Sequence, residues 1–181
     1  MKPTGAELPI TSTRAVSILG QAAAIAVALA LAAKIRVWLP WSPVPMTLQT
    51  FVVLSAPALC GVAAGAVGVA LYVAAASAGL PVMAGPSVFG PTGGYLLGFV
   101  AAAALVAHYR SASPLRLLLA MAGASVLIYL CGATWLWAWS GKSLGWIWAA
   151  GVLPFLPGDA AKILAAWAAV GVARASSRGR G

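Results

Sequence analysis

Two oppositely charged residues, Asp159 and Lys162, stand three positions apart at the start of the last apolar segment of the sequence. On a helix this spacing places both side chains on one face. A charged side chain at the centre of a bilayer costs about 2.5–3.5 kcal/mol or more, so charges in apolar segments are rare and indicate functional sites. The only other acidic residue, Glu7, lies in the polar N-terminal segment. Asp159 and Lys162 are therefore the first candidates for a binding site.

The composition predicts an integral membrane protein, which we expect to be all-α and to lie in the cell membrane. Of the 181 residues, 62% are hydrophobic and only 7% are charged, whereas a soluble domain has about 25% charged residues. The net charge is +9, but the basic residues stand mostly at the ends of apolar segments, which is typical of membrane orientation signals. No basic patch is interleaved with aromatic residues. We therefore expect membrane lipid, and not nucleic acid, as a partner.

Six continuous apolar segments predict a compact bundle of six transmembrane helices, because barrel strands would alternate polar and apolar residues. The stretch 47–80 has 34 residues and would reach about 51 Å as one helix, against about 30 Å of hydrocarbon. Pro57 and Gly61 offer a break there, so two short spans are predicted. The single membrane domain, 1–181, has a head at 1–14, a basic tail at 174–181, and spans at approximately 15–37, 47–60, 62–80, 95–107, 115–139 and 151–173.

With six spans, the distribution of basic residues predicts that both termini are cytoplasmic. In this orientation seven basic residues lie inside and three outside, which agrees with the positive-inside rule. The inside group is Lys2, Arg14, Arg110, Arg116, Arg174, Arg178 and Arg180, and the outside group is Lys34, Arg36 and Lys142. A five-span model with the N-terminus outside gives the same count, so the length of the stretch 47–80 decides for six spans.

This topology brings polar residues from three spans together near the outer face. The second, fourth and sixth spans all begin outside, and polar residues stand near each start: Gln49, Thr92, Tyr95, Asp159 and Lys162. Carboxylates accept hydrogen bonds, ammonium groups donate them and the glutamine amide does both. The set suits a small, partly apolar molecule with N–H groups and carbonyl or carboxylate oxygens, and does not suit a bare ion. Two loops rich in Gly or Pro, 40–45 and 79–90, can close such a site.

Enzymatic chemistry is not expected. The sole histidine, His108, is predicted on the opposite side of the membrane from Asp159, and no second carboxylate is available there for acid–base catalysis. Cys60 and Cys131 are far apart, without the spacing of a metal site. The sequence also has no nucleotide-binding loop, because Leu136 stands where its first glycine should be. We predict no catalytic residue, no metal and no cofactor.

Small residues recur at every fourth position of the first span, at Ala22, Ala26 and Ala30. Such a face allows close contact between helices, either within the chain or with a membrane partner.

Four motifs follow one another along the chain: PVPMTLQT at 43–50, GLPV at 79–82, FGPTGGYLLG at 89–98, and LPGD at 156–159 with Lys162. Together they resemble the BioY family, which is the biotin-specific substrate-binding (S) component of energy-coupling factor (ECF) transporters. The resemblance extends from about 15 to 173, with the motifs in order. It implies a six-helix bundle with its termini inside and a biotin site near the outer face.

The resemblance also implies roles for particular residues and partners. It implies that Asp159 and Lys162 hold biotin. Further residues lie on the matching motifs and are carried over as biotin-binding candidates: Gln49, Thr92, Gly93 and Tyr95. The expected partners are a transmembrane T component and two ATPase subunits, and the alanine face of the first span resembles the surface on which S components dock.

Two other functions remain open at this point. The protein can be a stand-alone secondary transporter or channel for another small solute, with Lys162 as a proton-linked gate. It can also be a structural membrane protein in which Asp159 and Lys162 merely pair with each other.

Overall fold

The computed structural model describes residues 10–85 and 87–179. The regular elements of this part of the chain are helices, together with one pair of two-residue antiparallel strands, β1 and β2. The elements in chain order are α1 (Ile10–Lys34), β1 (Arg36–Val37), β2 (Met46–Thr47), α2 (Gln49–Cys60), α3 (Val62–Ser77), α4 (Gly93–His108), α5 (Pro114–Ser140), α6 (Leu144–Gly151), a 3-10 helix (Leu153–Phe155) and α7 (Leu156–Arg178). Residues 1–9 of the predicted head, with Lys2, and Arg180 of the predicted tail lie outside the described residues.

A break at Gly61 separates α2 from α3, as the length argument predicts. Gly61 has φ 95°, a backbone conformation that residues with a side chain rarely adopt. A Cβ atom at this position would also lie 2.9 Å from Nη1 of Arg110. Glycine is therefore required here for two reasons: the turn needs a positive φ, and the Arg110 side chain lies too close for a Cβ atom.

The last predicted span differs from the structure. The sequence predicts a connection at 140–150 and one continuous helix at 151–173, but the chain forms α6, a 3-10 turn and α7. The Ser143 hydroxyl caps α6 by accepting a hydrogen bond from the Trp146 N–H at 3.4 Å. Pro154 lacks an N–H group and interrupts the helix, whereas Pro157 fits the first turn of α7. Asp159 consequently lies in the first turn of α7, where the helix dipole favours a negative charge.

Three helical segments are long and apolar enough to cross a membrane: Thr13–Lys34, Pro114–Ser140 and Leu144–Arg178, the last counted through its short break. The other apolar helices, α2, α3 and α4, have 12, 16 and 16 residues. At 1.5 Å per residue they reach about 18–24 Å, which is less than the hydrocarbon core of about 30 Å. Six crossings and cytoplasmic termini therefore stay predictions.

The bundle has two chemically different ends. At one end, the starts of α2, α4 and α7 surround a cavity, and we call this the cavity end. At the other end, Arg110 donates a hydrogen bond to the Leu59 carbonyl at 3.2 Å, and Arg174 donates one to the Arg110 carbonyl. We call this the arginine end.

Glycines allow close packing on both sides of the bundle. A Cβ atom at Gly68 of α3 would lie 2.7 Å from the Cβ of Ile25 in α1, and Ala22 beside it is fully buried. Ala22 is therefore an internal packing residue and has no side-chain surface to offer a partner. Ala26 and Ala30 are half-buried against the core, and docking of a partner on them stays a prediction.

Candidate functional site

Asp159 is buried and accepts hydrogen bonds from three side chains. Thr50 donates to Oδ1 at 3.0 Å and Tyr129 donates to Oδ2 at 2.5 Å. Lys162 lies one helical turn further along α7 and donates to Oδ1 at 2.8 Å. The side chain of Asp159 is only 10% exposed and that of Lys162 is 14% exposed. A buried charge must be paired or hydrogen-bonded, and this carboxylate has both kinds of partner.

Gln49, at the start of α2, belongs to a second polar group on the cavity wall. Its Nε2 donates to the Tyr72 hydroxyl at 2.8 Å, and its Oε1 accepts from the Thr47 hydroxyl at 3.2 Å. Tyr72 in turn donates to the Val82 carbonyl at 3.4 Å. This network links the start of α2 to the loop between α3 and α4.

Tyr95 and Thr92 come from the start of α4. The Tyr95 hydroxyl donates to the Gly151 carbonyl at 2.8 Å, which ties α4 to the end of α6. Thr92 is different, because its buried hydroxyl has no hydrogen-bond partner within residues 10–85 and 87–179. An unpaired buried hydroxyl is costly, so the Thr92 hydroxyl on the cavity wall is available to a ligand.

These polar groups line one cavity, together with apolar side chains. Five of the six biotin-binding residues expected from the sequence are on its wall: Gln49, Thr92, Tyr95, Asp159 and Lys162. The principal apolar contributions are Val44, Pro45, Met46, Met83, Leu96, Ile128 and Phe155. The cavity has a volume of about 60 Å³. The convergence that the topology predicts is therefore present in the structure.

The sixth expected residue, Gly93, does not belong to the cavity wall. A Cβ atom at Gly93 would lie 2.2 Å from the Val88 carbonyl oxygen and 2.9 Å from the Trp135 ring. Gly93 is therefore a packing residue, because the start of α4 lies close to both the Val88 carbonyl of the preceding loop and the Trp135 ring of α5.

Both predicted closing loops contribute to the wall, but only with some of their residues. Met83 of the loop 79–90 is buried on the cavity wall, whereas Phe89 is 74% exposed. Two cationic side chains hold the same loop. Lys34 donates to the Pro81 carbonyl at 2.5 Å and Arg36 donates to the Ala84 carbonyl at 2.6 Å. The loop is thus anchored to the end of α1 and to β1.

Sequence reasoning missed Thr50, Tyr129 and Tyr72. Thr50 directly follows Gln49 and is part of the same motif, which was a usable signal. Tyr129 stands alone in the middle of the long apolar helix α5, where a phenol hydroxyl needs a partner. Nothing in the spacing of the sequence indicates that Tyr129 reaches a carboxylate 30 positions away.

A family model described as BioY family matches residues 6–178. The chain belongs to the BioY family. Among similar proteins, the biotin transporter BioY of Rhizobium etli is 34% identical over 172 residues, which are 86% of this chain and 90% of that protein. The probable biotin transporter BioY of Pyrococcus horikoshii is 37% identical over 125 residues, which are 66% and 74% of the two chains. This is a family of transporters and not of enzymes, as the sequence predicts.

The fold also matches a crystal structure described as the S-component for biotin from an ECF-type ABC transporter. The TM-score is 0.80, the sequence identity is 24%, and the match covers 90% of this chain and 93% of the other. At this identity the likeness establishes the fold, which is that of an S component.

Proposed function

We propose that this protein binds biotin in the cavity formed by α2, α4, α5 and α7, and takes biotin up across the cell membrane as the S component of an ECF transporter. The observation that carries this proposal is the composition of the cavity. It combines the Asp159–Lys162 ion pair and the unpaired Thr92 hydroxyl with an apolar wall. The relatives named as biotin transporters and the S-component fold supply the ligand and the transporter class.

The chemistry of biotin suits these groups. The ureido ring has two N–H donors and one carbonyl, and a carboxylate ends the valeryl chain. Asp159 can accept a ureido N–H at its remaining lone pair. Lys162 gives Asp159 one of its three ammonium hydrogens, so two remain for the biotin carbonyl or carboxylate. The apolar wall provides contacts for the sulfur-containing ring and the valeryl chain.

Entry of biotin requires the cavity to widen. Its volume of about 60 Å³ is well below the volume of about 300–1,000 Å³ that is usual for small-molecule sites. We assign this movement to residues 79–85 of the loop, which include its contributions to the cavity wall. Displacement of the loop breaks the hydrogen bonds from Lys34 to Pro81 and from Arg36 to Ala84. These contacts are at the cavity end and partly exposed, so water replaces them at low cost.

Calorimetric titration of the purified protein with biotin tests binding at the cavity. Asp159→Asn removes the charge of the carboxylate, and Lys162→Ala removes the ammonium group and leaves the carboxylate without its counter-ion. We expect each change to weaken binding at least tenfold, or by about 1.4 kcal/mol. Lys142→Ala is the matched control, because Lys142 is exposed and lies outside the cavity wall. Unchanged affinity in both cavity variants would contradict the site.

Uptake in liposomes tests the transporter class. The sequence has no nucleotide-binding loop, so we expect biotin accumulation against a gradient only when a T component, two ATPase subunits and ATP are present. Accumulation by this chain alone, driven by a proton gradient, would instead support a stand-alone secondary transporter.

A further inference from the structure

The arginine end carries a cluster of guanidinium groups that biotin binding does not use. Arg110, Arg174 and Arg178 line one open cavity of about 500 Å³, together with Ser111 and Ser177. Arg110 follows the end of α4, and the other two arginines are on the last turns of α7. Three cations from two parts of the chain thus share one concave surface with two hydroxyl groups.

Backbone contacts hold two of these arginines in place. Arg110 donates from Nη2 to the Leu59 carbonyl at 3.2 Å, and Arg174 donates from Nη2 to the Arg110 carbonyl. The absence of a Cβ atom at Gly61 leaves room for the Arg110 guanidinium. A guanidinium group has five N–H donors, so most donors of both side chains remain available to a ligand.

The positive charge of this cluster has no acidic partner in the part of the chain that the structure describes. Asp159 is the single carboxylate side chain there, and it is paired with Lys162 at the cavity end. Adjacent like charges repel one another, and a bound anion removes that repulsion. Planar guanidinium groups match phosphate oxygens with paired hydrogen bonds, and serine hydroxyls add further donors.

An apolar groove continues from the arginines along α5 and α7. It has a volume of about 620 Å³ and shares Ser111, Arg174 and Arg178 with the first cavity. Its walls include Leu117, Val172 and Trp167. The Trp167 indole donates to the Pro114 carbonyl at 2.8 Å, so its polar edge is occupied by the protein and its ring faces the groove. An acyl chain fits such a groove, whereas a free phosphate ion would use only the cationic part.

We propose that Arg110, Arg174 and Arg178 bind the phosphate of an anionic phospholipid, with one acyl chain lying in the groove between α5 and α7. Basic pockets beside apolar helices are suited to anionic headgroups because charge and hydrocarbon surface are offered together. This site is at the opposite end of the bundle from the biotin cavity and does not depend on the proposed function.

Thermal unfolding in a neutral detergent, with added lipid, tests the proposal. We expect phosphatidylglycerol to raise the midpoint temperature in a saturable way, and phosphatidylcholine to have little effect. The double change Arg174→Gln and Arg178→Gln should weaken the apparent affinity for phosphatidylglycerol at least tenfold. Arg116→Gln is the matched control, since Arg116 is an exposed arginine near the same end but outside both cavities. Its response should equal that of the unchanged protein.

The same experiment has outcomes that overturn the proposal. They are an equal response to both lipids, an unchanged response in the double variant, or an equal loss with Arg116→Gln, which would indicate a general charge effect. Inorganic phosphate that alone gives the full shift would show a phosphate site without lipid. Arg178→Gln by itself guards against misfolding, because Arg178 is exposed, and its unfolding midpoint without added lipid should match that of the unchanged protein.

Discussion

At the scale of single residues, the carboxylate of Asp159 is the most connected group of the cavity. Its three donors are Thr50 of α2, Tyr129 of α5 and Lys162, one turn further along α7. A buried charge is tolerated when its partners are in place, but removing one partner leaves part of that charge uncompensated. The three donors should therefore contribute unequally to folding and to ligand binding, according to the charge and the contact that each supplies.

Tyr129→Phe should lower the stability of the protein, because it removes the 2.5 Å hydrogen bond to Oδ2 of Asp159. Hydrogen bonds to charged groups contribute about 1.5–3 kcal/mol. We expect a lower midpoint of thermal unfolding in detergent, together with weaker biotin binding. Tyr109→Phe is the control, since Tyr109 is exposed beyond the end of α4. Equal behaviour of the two variants would show that the contact with Asp159 is energetically unimportant.

Thr92→Val should separate ligand binding from folding. The Thr92 hydroxyl has no partner among the described residues, so its removal takes away no internal hydrogen bond and should leave the unfolding midpoint unchanged or higher. If the Thr92 hydroxyl forms a hydrogen bond with biotin, calorimetric titration should show that the variant binds biotin more weakly. Ser125→Ala is matched to it, because Ser125 also has an unpaired buried hydroxyl among the described residues but does not line the cavity. Loss of affinity in the Ser125 variant alone would contradict this division of roles.

At the scale of helices, the packing of α4 on α5 is what positions Tyr95. A Cβ atom at Gly94 would lie 2.2 Å from the Cβ of Trp135, and one at Gly98 would lie 2.8 Å from the Cα of Ile128. On the facing helix, a Cβ atom at Gly132 would lie 2.3 Å from the Tyr95 ring. The two helices approach so closely that neither has space for one additional carbon atom at these contacts.

Gly94→Ala should consequently destabilise the protein by about 1–3 kcal/mol, the usual cost of overpacking a core. Gly145→Ala in α6 is the control, because nothing lies within 4 Å of a Cβ atom there and alanine favours the helix by about 1 kcal/mol over glycine. Thermal unfolding of both variants measures the difference. A Gly94 variant as stable as its control would mean that α4 and α5 can separate freely.

The helices were predictable where apolar runs have clear ends. The predicted span 115–139 differs from α5, Pro114–Ser140, by one residue at each end. The helix α6 was not predicted, because its eight residues look like an interfacial connection and only the Ser143 cap and Pro154 define its ends.

In the site, Asp159 and Lys162 were predictable because charged residues are rare in apolar segments. The position of the Tyr129 hydroxyl beside Asp159 depends on how α5 packs against α7. Contacts of this kind between helices cannot be predicted from the periodicity of apolar residues along the sequence.

At the scale of the whole molecule, the two ends of the bundle differ in charge and in chemistry. Arg110, Arg174 and Arg178 gather at one end, whereas Lys34 and Arg36 hold a loop at the other. The positive-inside rule predicts that the more basic end lies in the cytoplasm. In that orientation the cavity proposed for biotin faces the outside, which is the side from which a vitamin must be captured.

Cysteine labelling should establish this orientation. In a background with Cys60→Ala and Cys131→Ala, we expect Lys142→Cys to react in intact cells with a maleimide that cannot cross membranes. Ser113→Cys should react only after the membrane is opened. Both positions are exposed, at opposite ends of α5, so each is the control for the other. The reverse pattern would place the termini of α5, and with them the cavity, the other way round.

The close contact between α4 and α5 also determines where ligand preference can change during evolution or in a directed library. Tyr95 is fixed from behind by Gly132, so that side of the cavity has one permitted shape. Met46 and Met83 also line the cavity, and their unbranched side chains adapt to neighbours of different shapes. New substrate preferences should therefore arise by substitution of these methionines, while Gly132 stays constant because a larger residue there would overlap the Tyr95 ring.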